Sequence, residues 1–367
     1  MNLNLLRKID KYVLVTPTFI LGLRKKGKIK TPKKILLIKL WAMGDAILTL
    51  SLIKALKVSF PQSQIDVLVH KNIKKVYENN TDITNLLEFG VSFKALKYLS
   101  QFKKYDLCLD LEPYLNVSAL ASWYSAKDSI GFSHGSRARV YTITTDLRKD
   151  QHMVQNYLDL IRKLNIRYDT LKLEKIEVDP TTKEKVNAIL KSYNLEEKDF
   201  LVGICPGVGE SVKTRMWPLE KMAQLADRLI ETKKAKIILI DGPDNTELAQ
   251  KMVSLTKYPI VNLVGKTSFK ESAYLIEKCK LFISNDTGPM HLAAAQGTKT
   301  IGLFGPNTPI RWTPYGKKNK AIYKNPSCSP CIINEKGIMP ECKYKGTALE
   351  QHCMKNISVE EVIKEVK

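Results

Sequence analysis

The chain has 367 residues, which suggests two domains at roughly 150 residues each. Apolar residues make up 44% of the composition, enough for folded cores, so a disordered chain is excluded. The net charge of +22 predicts anionic binding partners: nucleic acid, an acidic membrane surface or phosphorylated substrates. No run of about 18 apolar residues occurs, which excludes an ordinary transmembrane helix.

Residues 1–33 are interpreted as a basic arm. The first 34 residues contain ten basic side chains and one acid, Asp10. The apolar run Tyr12–Leu23 is interrupted by polar residues and is followed by basic residues instead of a signal-peptide cleavage site. We predict a retained segment that lies on a membrane surface. The alternative is a frayed arm without a role.

Residues 34–180 are predicted to form a Rossmann-like domain. Apolar runs predict buried strands, and apolar residues at helical spacing predict helices between them. Strand, helix and strand in succession predict a parallel sheet with right-handed crossovers. The predicted strands are Ile35–Leu40, Ile65–Val69 and Tyr105–Leu111, and the predicted helices are Ala46–Val58 and Gln151–Asn165.

A linker with a helix at Thr182–Tyr193 occupies residues 181–199, and a second α/β domain is predicted at 200–320. Residues 321–367 are interpreted as a cysteine-containing tail ending in a helix at Val359–Val366. Two consecutive α/β domains predict a ligand cleft between them. The elements of the second domain are strands Leu201–Cys205, Lys236–Ile240, Ile260–Leu263, Leu281–Ser284 and Thr300–Phe304, and helices Leu219–Ile230, Thr246–Leu255, Phe269–Cys279 and Pro289–Gln296.

The segment 281–304 (LFISNDTGPMHLAAAQGTKTIGLF) carries the strongest binding motif. A strand leads into Asp286, Thr287 and Gly288, and His291 lies on the first turn of the next helix. Free N–H groups and the helix dipole favour an anion there, and Gly288 permits close backbone approach. Asp286 can orient a hydroxyl of a sugar or base. The alternative is that Asp286 and Thr287 merely cap the helix.

The segment 204–218 (ICPGVGESVKTRMWP) predicts a second phosphate contact. Gly207 and Gly209 follow a strand and can present N–H groups, while Ser211 and Arg215 add donors. Lys213 is interpreted as a solvated surface residue. A third glycine of the dinucleotide fingerprint is missing, so a nicotinamide enzyme is not indicated.

The loop Trp41–Asp45 places a carboxylate at or near a helix N-terminus, where the dipole keeps it ionised. Asp45 is therefore a candidate general base, and helix capping is the alternative. The segment 131–142 supplies His134, Arg137 and Arg139 as candidate acceptor-binding residues, or alternatively a solvated basic loop.

Seven cysteines, three of them isolated in apolar segments, favour a reducing compartment. Four more cluster near the end: Cys328, Cys331, Cys342 and Cys353, with His352 beside the last. The CxxC half-site is typical of zinc, but the second pair has unusual spacing, so no metal is expected and unliganded thiols are favoured over zinc or a labile disulfide.

Five segments together, in this order, resemble glycosyltransferase family 9, the lipopolysaccharide heptosyltransferase family. They are ILLIKLWAMGD, GICPGVGESVKTRMWP, IDGPDN, SNDTGPMHLAAAQG and LFGPNTPIRWTP, which extend from about residue 34 to 316. The resemblance implies GT-B architecture, with two Rossmann-like domains facing across a cleft. It implies inverting, metal-independent transfer without a cofactor, from ADP-L-glycero-D-manno-heptose as donor to the lipopolysaccharide inner core.

The family's catalytic Asp falls on Asp45, and its basic residue on the donor phosphates falls on Arg215. Ser211 matches a hydroxyl position beside the phosphate, and Asp244 matches the acid on the ribose. The family's Asp-Thr-Gly and following His fall on Asp286, Thr287, Gly288 and His291. Trp41 departs from the family pattern at the expected entrance of the acceptor site. The departure therefore concerns the identity of the acceptor more than the chemistry of the transfer.

The resemblance favours a cytoplasmic enzyme, peripheral to the inner membrane, that uses an anionic glycolipid acceptor. Alternatives are a transferase with another nucleotide-sugar in surface-polysaccharide assembly, and a non-catalytic sugar-nucleotide-binding membrane protein. A nucleic-acid-binding protein is not expected, because its usual motifs are absent and aromatic residues do not interleave the basic runs.

Overall fold

The computed structural model describes residues 10, 14–20, 29–89, 102–333 and 340–366, and it divides into two units, 1–170 and 171–367. The division falls ten residues before the boundary at 180 that the sequence suggested. Across the described ranges, no helix combines the length and apolar character needed to cross a bilayer. Most of the basic residues of the arm, and five of the twelve residues of Tyr12–Leu23, lie outside these ranges.

The first unit contains a six-stranded parallel sheet in the order β3-β2-β1-β4-β5-β6. The strand order reverses between β1 and β4, and ligands of open α/β sheets bind at such a point, beyond the carboxyl ends of the strands. The strands are β1 (Lys34–Lys39), β2 (Gln64–His70), β3 (Asn85–Phe89), β4 (Tyr105–Asp110), β5 (Ala126–Phe132) and β6 (Ile143–Thr145).

The first helix predicted from the sequence is two helices in the structure. Thr49 separates α2 from α3, and its hydroxyl donates a hydrogen bond to the Ala46 carbonyl at 2.7 Å. Threonine bonding to its own helix backbone tends to bend the helix. The helices of this unit are α1 (Val15–Ile20), α2 (Met43–Leu48), α3 (Leu50–Ser59), α4 (Asn116–Ser125) and α5 (Met153–Arg162).

Part of the arm packs on the first unit. The Asp10 carboxylate accepts hydrogen bonds from the backbone N–H groups of Asn116 (3.0 Å) and Val117 (2.7 Å), the first residues of α4. Farther along, Thr18 and Ser136 share a hydroxyl hydrogen bond of 2.8 Å. The single acid of the arm therefore supplies an N-terminal cap to a helix that lies more than a hundred residues away.

The second unit repeats the topology of the first, with the order β12-β11-β10-β7-β8-β9 and every strand pair parallel. The strand order reverses between β7 and β10. The strands are β7 (Leu201–Cys205), β8 (Lys236–Leu239), β9 (Val261–Asn262), β10 (Leu281–Asn285), β11 (Lys299–Phe304) and β12 (Lys320–Tyr323). The two parallel sheets confirm the α/β class predicted from the sequence.

The predicted linker and tail belong to the fold of the second unit. Helix α6 (Pro180–Ser192) packs against the helix Phe269–Lys278, and apolar residues from 353 to 366 enter the same core as Trp217. The Trp217 indole N–H donates to the Ile357 carbonyl at 3.1 Å. The other helices are α7 (Leu219–Lys233), α8 (Thr246–Leu255), α9 (Phe269–Lys278), α10 (Gly288–Ala295), α11 (Pro309–Trp312), α12 (His352–Lys355) and α13 (Val359–Lys364).

Candidate functional site

Asp45 lies in the first turn of α2, at the carboxyl end of β1. The N-cap of this helix is Ala42, so Asp45 is the third helical residue and the simple capping alternative does not hold. Ala42 has φ of 64°, a conformation that costs an alanine energy and is typical of functional loops. The Asp45 side chain is 25% exposed, and a partner can therefore reach it from solvent.

A buried ion pair adjoins Asp45. The Lys39 ammonium lies 2.8 Å from a carboxylate oxygen of Glu112 and 3.9 Å from a carboxylate oxygen of Asp45. The same Glu112 oxygen accepts hydrogen bonds from the backbone N–H groups of Leu40 (2.6 Å) and Trp41 (2.9 Å). Glu112 therefore fixes the loop that leads from β1 into α2.

The three candidate acceptor residues occupy different environments. Arg137 is buried in an ion pair with Asp110 at 2.6 Å, and it also bonds Tyr141. It belongs to the interior, which contradicts its prediction as an acceptor contact; the solvated-loop alternative is wrong for it too. Arg139 is exposed, and His134 is half-buried with its ring edge-on to Tyr114 at 5.5 Å.

Arg215 and Asp286 meet in the second unit. The Arg215 guanidinium donates to the Asp286 carbonyl at 3.1 Å and lies 3.2 Å from its carboxylate. The Asn307 amide donates to the same carboxylate at 2.8 Å. Asp286 is only 4% exposed, and its carboxylate holds Arg215 in place through the contact just described. Asp286 does not cap α10, whose N-cap residue is Thr287.

His291 lies beside this pair on α10. Burial, together with the nearby Arg215 charge, lowers the pKa of His291 to about 4. The imidazole is therefore neutral at physiological pH. Its Nδ1, the Nε of Arg215 and the Oδ1 of Asn307 are buried without a hydrogen-bond partner in the described part of the chain, and unsatisfied buried groups are rare outside functional or strained sites.

Gly207 packs tightly instead of presenting its N–H to a ligand. Its N–H donates to the Asp241 carboxylate at 3.0 Å, and a Cβ at this position would lie 2.2 Å from Cγ of Asn245. The Asp241 carboxylate therefore already accepts the N–H hydrogen that Gly207 was predicted to offer to phosphate. Burial raises the pKa of Asp241, which its hydrogen bonds from Gly207 and Asn245 oppose.

The remaining residues predicted to bind the nucleotide-sugar donor follow the carboxyl ends of β7, β8 and β10. Thr287 is the N-cap residue of α10, but its side chain makes no capping bond, and Gly288 begins the helix. Asp244 is exposed in the turn Pro243–Asn245. Ser211 belongs to the turn Glu210–Arg215, and its side chain lies outside the described part. Lys213 pairs with Glu210 on the surface, as predicted.

The four late cysteines and His352 line one small pocket beside Pro306. All four are free thiols, and Cys328 Sγ lies 3.8 Å from His352 Nε2. Within the described ranges, no group of three or more Cys, His, Asp or Glu side chains is arranged to hold a metal ion. The cluster packs behind Gly305, where an added Cβ would lie 2.4 Å from the Met354 sulfur.

Four residues of these sites were not predicted from the sequence: Lys39, Glu112, Asp241 and Asn307. Glu112 follows β4 and Asn307 follows β11, and each of these strands neighbours a strand that carries a predicted site residue. The signal available in the sequence was a polar residue just beyond a buried strand, because parallel neighbours end at the same edge of the sheet.

Two Rossmann-like units, each with polar groups gathered beyond the carboxyl ends of its strands, are the features of the GT-B fold class. The model of glycosyltransferase family 9 (heptosyltransferase) matches residues 94–340, about two thirds of the chain. This chain therefore belongs to glycosyltransferase family 9, and the family and fold class predicted from the sequence are confirmed.

Individual relatives agree. The chain is 27% identical over 300 residues to lipooligosaccharide heptosyltransferase 2 of Haemophilus influenzae, covering 76% of this chain and 85% of that protein. It matches the crystal structure of the glycosyl transferase family 9 protein from Veillonella parvula with a TM-score of 0.74 and 25% identity, covering 91% and 96% of the chains. For E. coli ADP-heptose LPS heptosyltransferase II the TM-score is 0.69 at 21% identity, covering 91% and 97%, which shows a shared fold.

Proposed function

We propose that this enzyme transfers a heptose from ADP-L-glycero-D-manno-heptose to the inner core of lipopolysaccharide, with inversion at the anomeric carbon and without a metal. The family assignment and the names of the relatives support heptose transfer. The observation that carries the proposal is the placement of Arg215 and Asp286 at the start of α10, beyond the strand reversal of the second sheet. That is where an open α/β sheet binds a nucleotide.

In this proposal Asp45 is the catalytic base. It takes the proton of the acceptor hydroxyl as that oxygen bonds to the anomeric carbon, while the bond from this carbon to the ADP oxygen breaks. Its partly exposed carboxylate and its place next to the Lys39 ammonium support this role. Inversion follows from a single in-line displacement.

The leaving ADP gathers negative charge, which the second unit would neutralise. Arg215 provides a fixed positive charge, and Thr287, Gly288 and the α10 N-terminus add dipoles beside it. One well-aimed donor of this kind contributes about 3 kcal/mol to the transition state. Ser211 and Asp244 are proposed as peripheral donor contacts, with His291 as a neutral hydrogen-bonding group beside Arg215.

We further propose that the acceptor is an anionic glycolipid and that the enzyme works at the cytoplasmic face of the inner membrane. His134 and Arg139 remain the candidate acceptor contacts, because Arg139 is exposed and His134 is half-buried. The basic arm would supply the attraction to anionic lipid, since each basic residue near such a surface contributes about 1 kcal/mol.

The test is Asp45→Asn, assayed with purified core acceptor and a panel of nucleotide-sugars. We expect transfer to fall by about 10²–10⁴-fold, the usual contribution of a general base, while ADP binding is unchanged. Unchanged transfer kinetics would show that Asp45 is not the base. Turnover with another nucleotide-sugar and none with an ADP-heptose would replace the proposed donor, and loss of activity on chelation would contradict metal independence.

A further inference from the structure

We infer that Lys39 and Glu112 are positioning residues that keep the Asp45 carboxylate ionised and fixed in its loop. The inference rests on the proposed role of Asp45 as base. The three side chains form one chain of charges: Glu112 to Lys39 at 2.8 Å, and Lys39 to Asp45 at 3.9 Å. They come from adjacent strands, because Lys39 ends β1 and Glu112 lies two residues beyond β4.

The burial of the pair requires an explanation. The Lys39 side chain is 1% exposed and that of Glu112 is 7% exposed. Removing two charges from water costs several kcal/mol each, and apolar residues of similar size often replace such pairs without loss of stability. A buried pair that adjoins a partly exposed carboxylate is therefore better explained by its effect on that carboxylate than by stability.

Glu112 also holds the backbone of the loop through hydrogen bonds. One of its oxygens accepts three hydrogen bonds, from the Lys39 ammonium and from the N–H groups of Leu40 and Trp41. These bonds hold the backbone immediately before Ala42, whose positive φ leads into α2. The strained turn is thereby secured, and Asp45 keeps one direction relative to β1.

Two phenols also lie on or beside elements that contact α2. Tyr77 follows the turn Lys74–Val76 and Tyr157 lies on α5, both elements in contact with α2. Burial raises the pKa of both phenols and the nearby Asp45 charge adds to the shift, so both stay neutral. Among the described elements, those in closest contact with α2 carry the charged residues Lys54 and Lys57 on α3, Lys74 and Lys75 on the turn, and Asp159 and Arg162 on α5. Lys54 pairs with Asp82, Lys74 with Glu88 and Arg162 with Asp159.

The experiment compares pH profiles of kcat/KM for the full-length enzyme and four variants. Lys39→Met removes the positive charge, so the acidic limb should move to higher pH by about one to three units, the usual effect of a neighbouring cation on a carboxyl. Lys39→Arg keeps the charge and should restore the limb toward that of the native enzyme. Glu112→Gln keeps an acceptor for both N–H groups and leaves the Lys39 ammonium unpaired. The acidic limb of the pH profile of this variant should therefore stay in place or move to lower pH.

The double variant Lys39→Met, Glu112→Gln covers the case in which a single variant fails to fold, because no buried charge is left unpaired. It should melt near the native temperature, bind ADP normally and retain the upward shift. An acidic limb that stays in place in both variants lacking Lys39, or that moves in the same direction for Glu112→Gln as for Lys39→Met, overturns the inference. Asp45→Asn separates the two proposals: substantial remaining activity would refute the base, whereas an inactive Asp45→Asn with no shift in Lys39→Met would refute only the positioning roles.

Discussion

Arg215 is held by Asp286 through both its carbonyl and its carboxylate, so the guanidinium has one direction before any ligand arrives. Such preorganisation lets a side chain stabilise an anion without paying to reorder itself. Asp286 was predicted from the sequence as a hydroxyl-orienting residue. Its burial beneath Arg215 and Asn307 favours a different role, that of holding Arg215, the proposed phosphate contact.

The first prediction concerns Arg215→Ala. Charge-assisted hydrogen bonds contribute about 1.5–3 kcal/mol, so ADP should bind about ten- to a hundredfold more weakly. Adenosine, which lacks phosphates, should lose little affinity. Isothermal titration with both ligands measures the difference, and Lys213→Ala, a change on an exposed side chain, is the matched control. Equal losses for ADP and adenosine would rule out a phosphate role.

A second prediction concerns His291 and acid stability. The pKa of His291 is lowered to about 4 in the folded protein, from 6.5. The unfolded chain therefore binds more protons between these values, and stability falls as pH decreases from 6.5 toward 4. The loss reaches about 3 kcal/mol at the acidic end. Denaturant midpoints measured from pH 7 to 4 should decline less steeply for His291→Asn than for the native protein. Parallel curves for the two proteins would contradict the lowered pKa of His291.

Arg137 shows where single-residue reasoning from sequence fails. A basic residue in a polar, glycine-containing segment is usually exposed, and nothing local reveals that Asp110 lies opposite it across the fold. Asp45 and Arg215 were easier to select, because a strand-to-helix loop places its residues at the ligand-binding edge whatever the rest of the fold does.

At the scale of elements, the loop after β7 is defined by close packing. Gly207 lies against Asn245, so the chain can pass there only without a side chain. Gly209, two residues later, has ample room: a Cβ would approach no atom closer than 3.7 Å, from Val212. The two glycines therefore look alike in sequence and differ in structural role.

We predict that Gly207→Ala lowers stability by about 1–3 kcal/mol, the usual cost of overpacking. Because Asn245 must then move away from Asp241, ADP affinity should fall as well. Gly209→Ala should stay within about 0.5 kcal/mol of the native protein, as surface substitutions usually do. Thermal melts and ADP titrations of both variants provide the comparison, and similar behaviour of the two would contradict this account of the loop.

Four of the central strands and most of the long helices were predictable because their apolar spacing is strong, whereas the interior strand β5 and the helix α4 were missed. β1, β4, β7 and β10 were each found within two residues of their observed bounds. The edge strands β3, β6 and β12 were missed, since β6 has only three residues and the other two are partly exposed, without a buried apolar run. The break at Thr49 was missed because apolar residues continue at helical spacing through it.

At the scale of the whole molecule, the helix cap that the arm supplies has to be separated from its proposed attraction to anionic lipid. Deleting residues 1–33 would remove Asp10, and losing such a cap costs about 1 kcal/mol. Neutral substitution of Arg24, Lys25, Lys26 and Lys28 removes charge and keeps the cap. We expect this variant to bind anionic vesicles more weakly by about 4 kcal/mol, at about 1 kcal/mol per residue, with an unchanged melting temperature.

Turnover on a soluble acceptor should be unaffected by the four substitutions, since none lies in a proposed site. Vesicle flotation with and without anionic lipid measures the binding, and the deletion variant serves as the comparison for stability. Full vesicle binding by the substituted protein would show that the arm does not anchor the enzyme through its charge.

The late residues of the second unit have a consequence for synthesis. β12 and the apolar residues from Cys353 to Val366 complete the core that also contains Trp217 and β7. During translation the first unit can fold while the second is still emerging, as domains generally do. The second core, however, stays incomplete until residues 353–366 have left the ribosome. A message that stops before codon 353 would yield a protein whose first unit is folded and whose second unit is open to proteases.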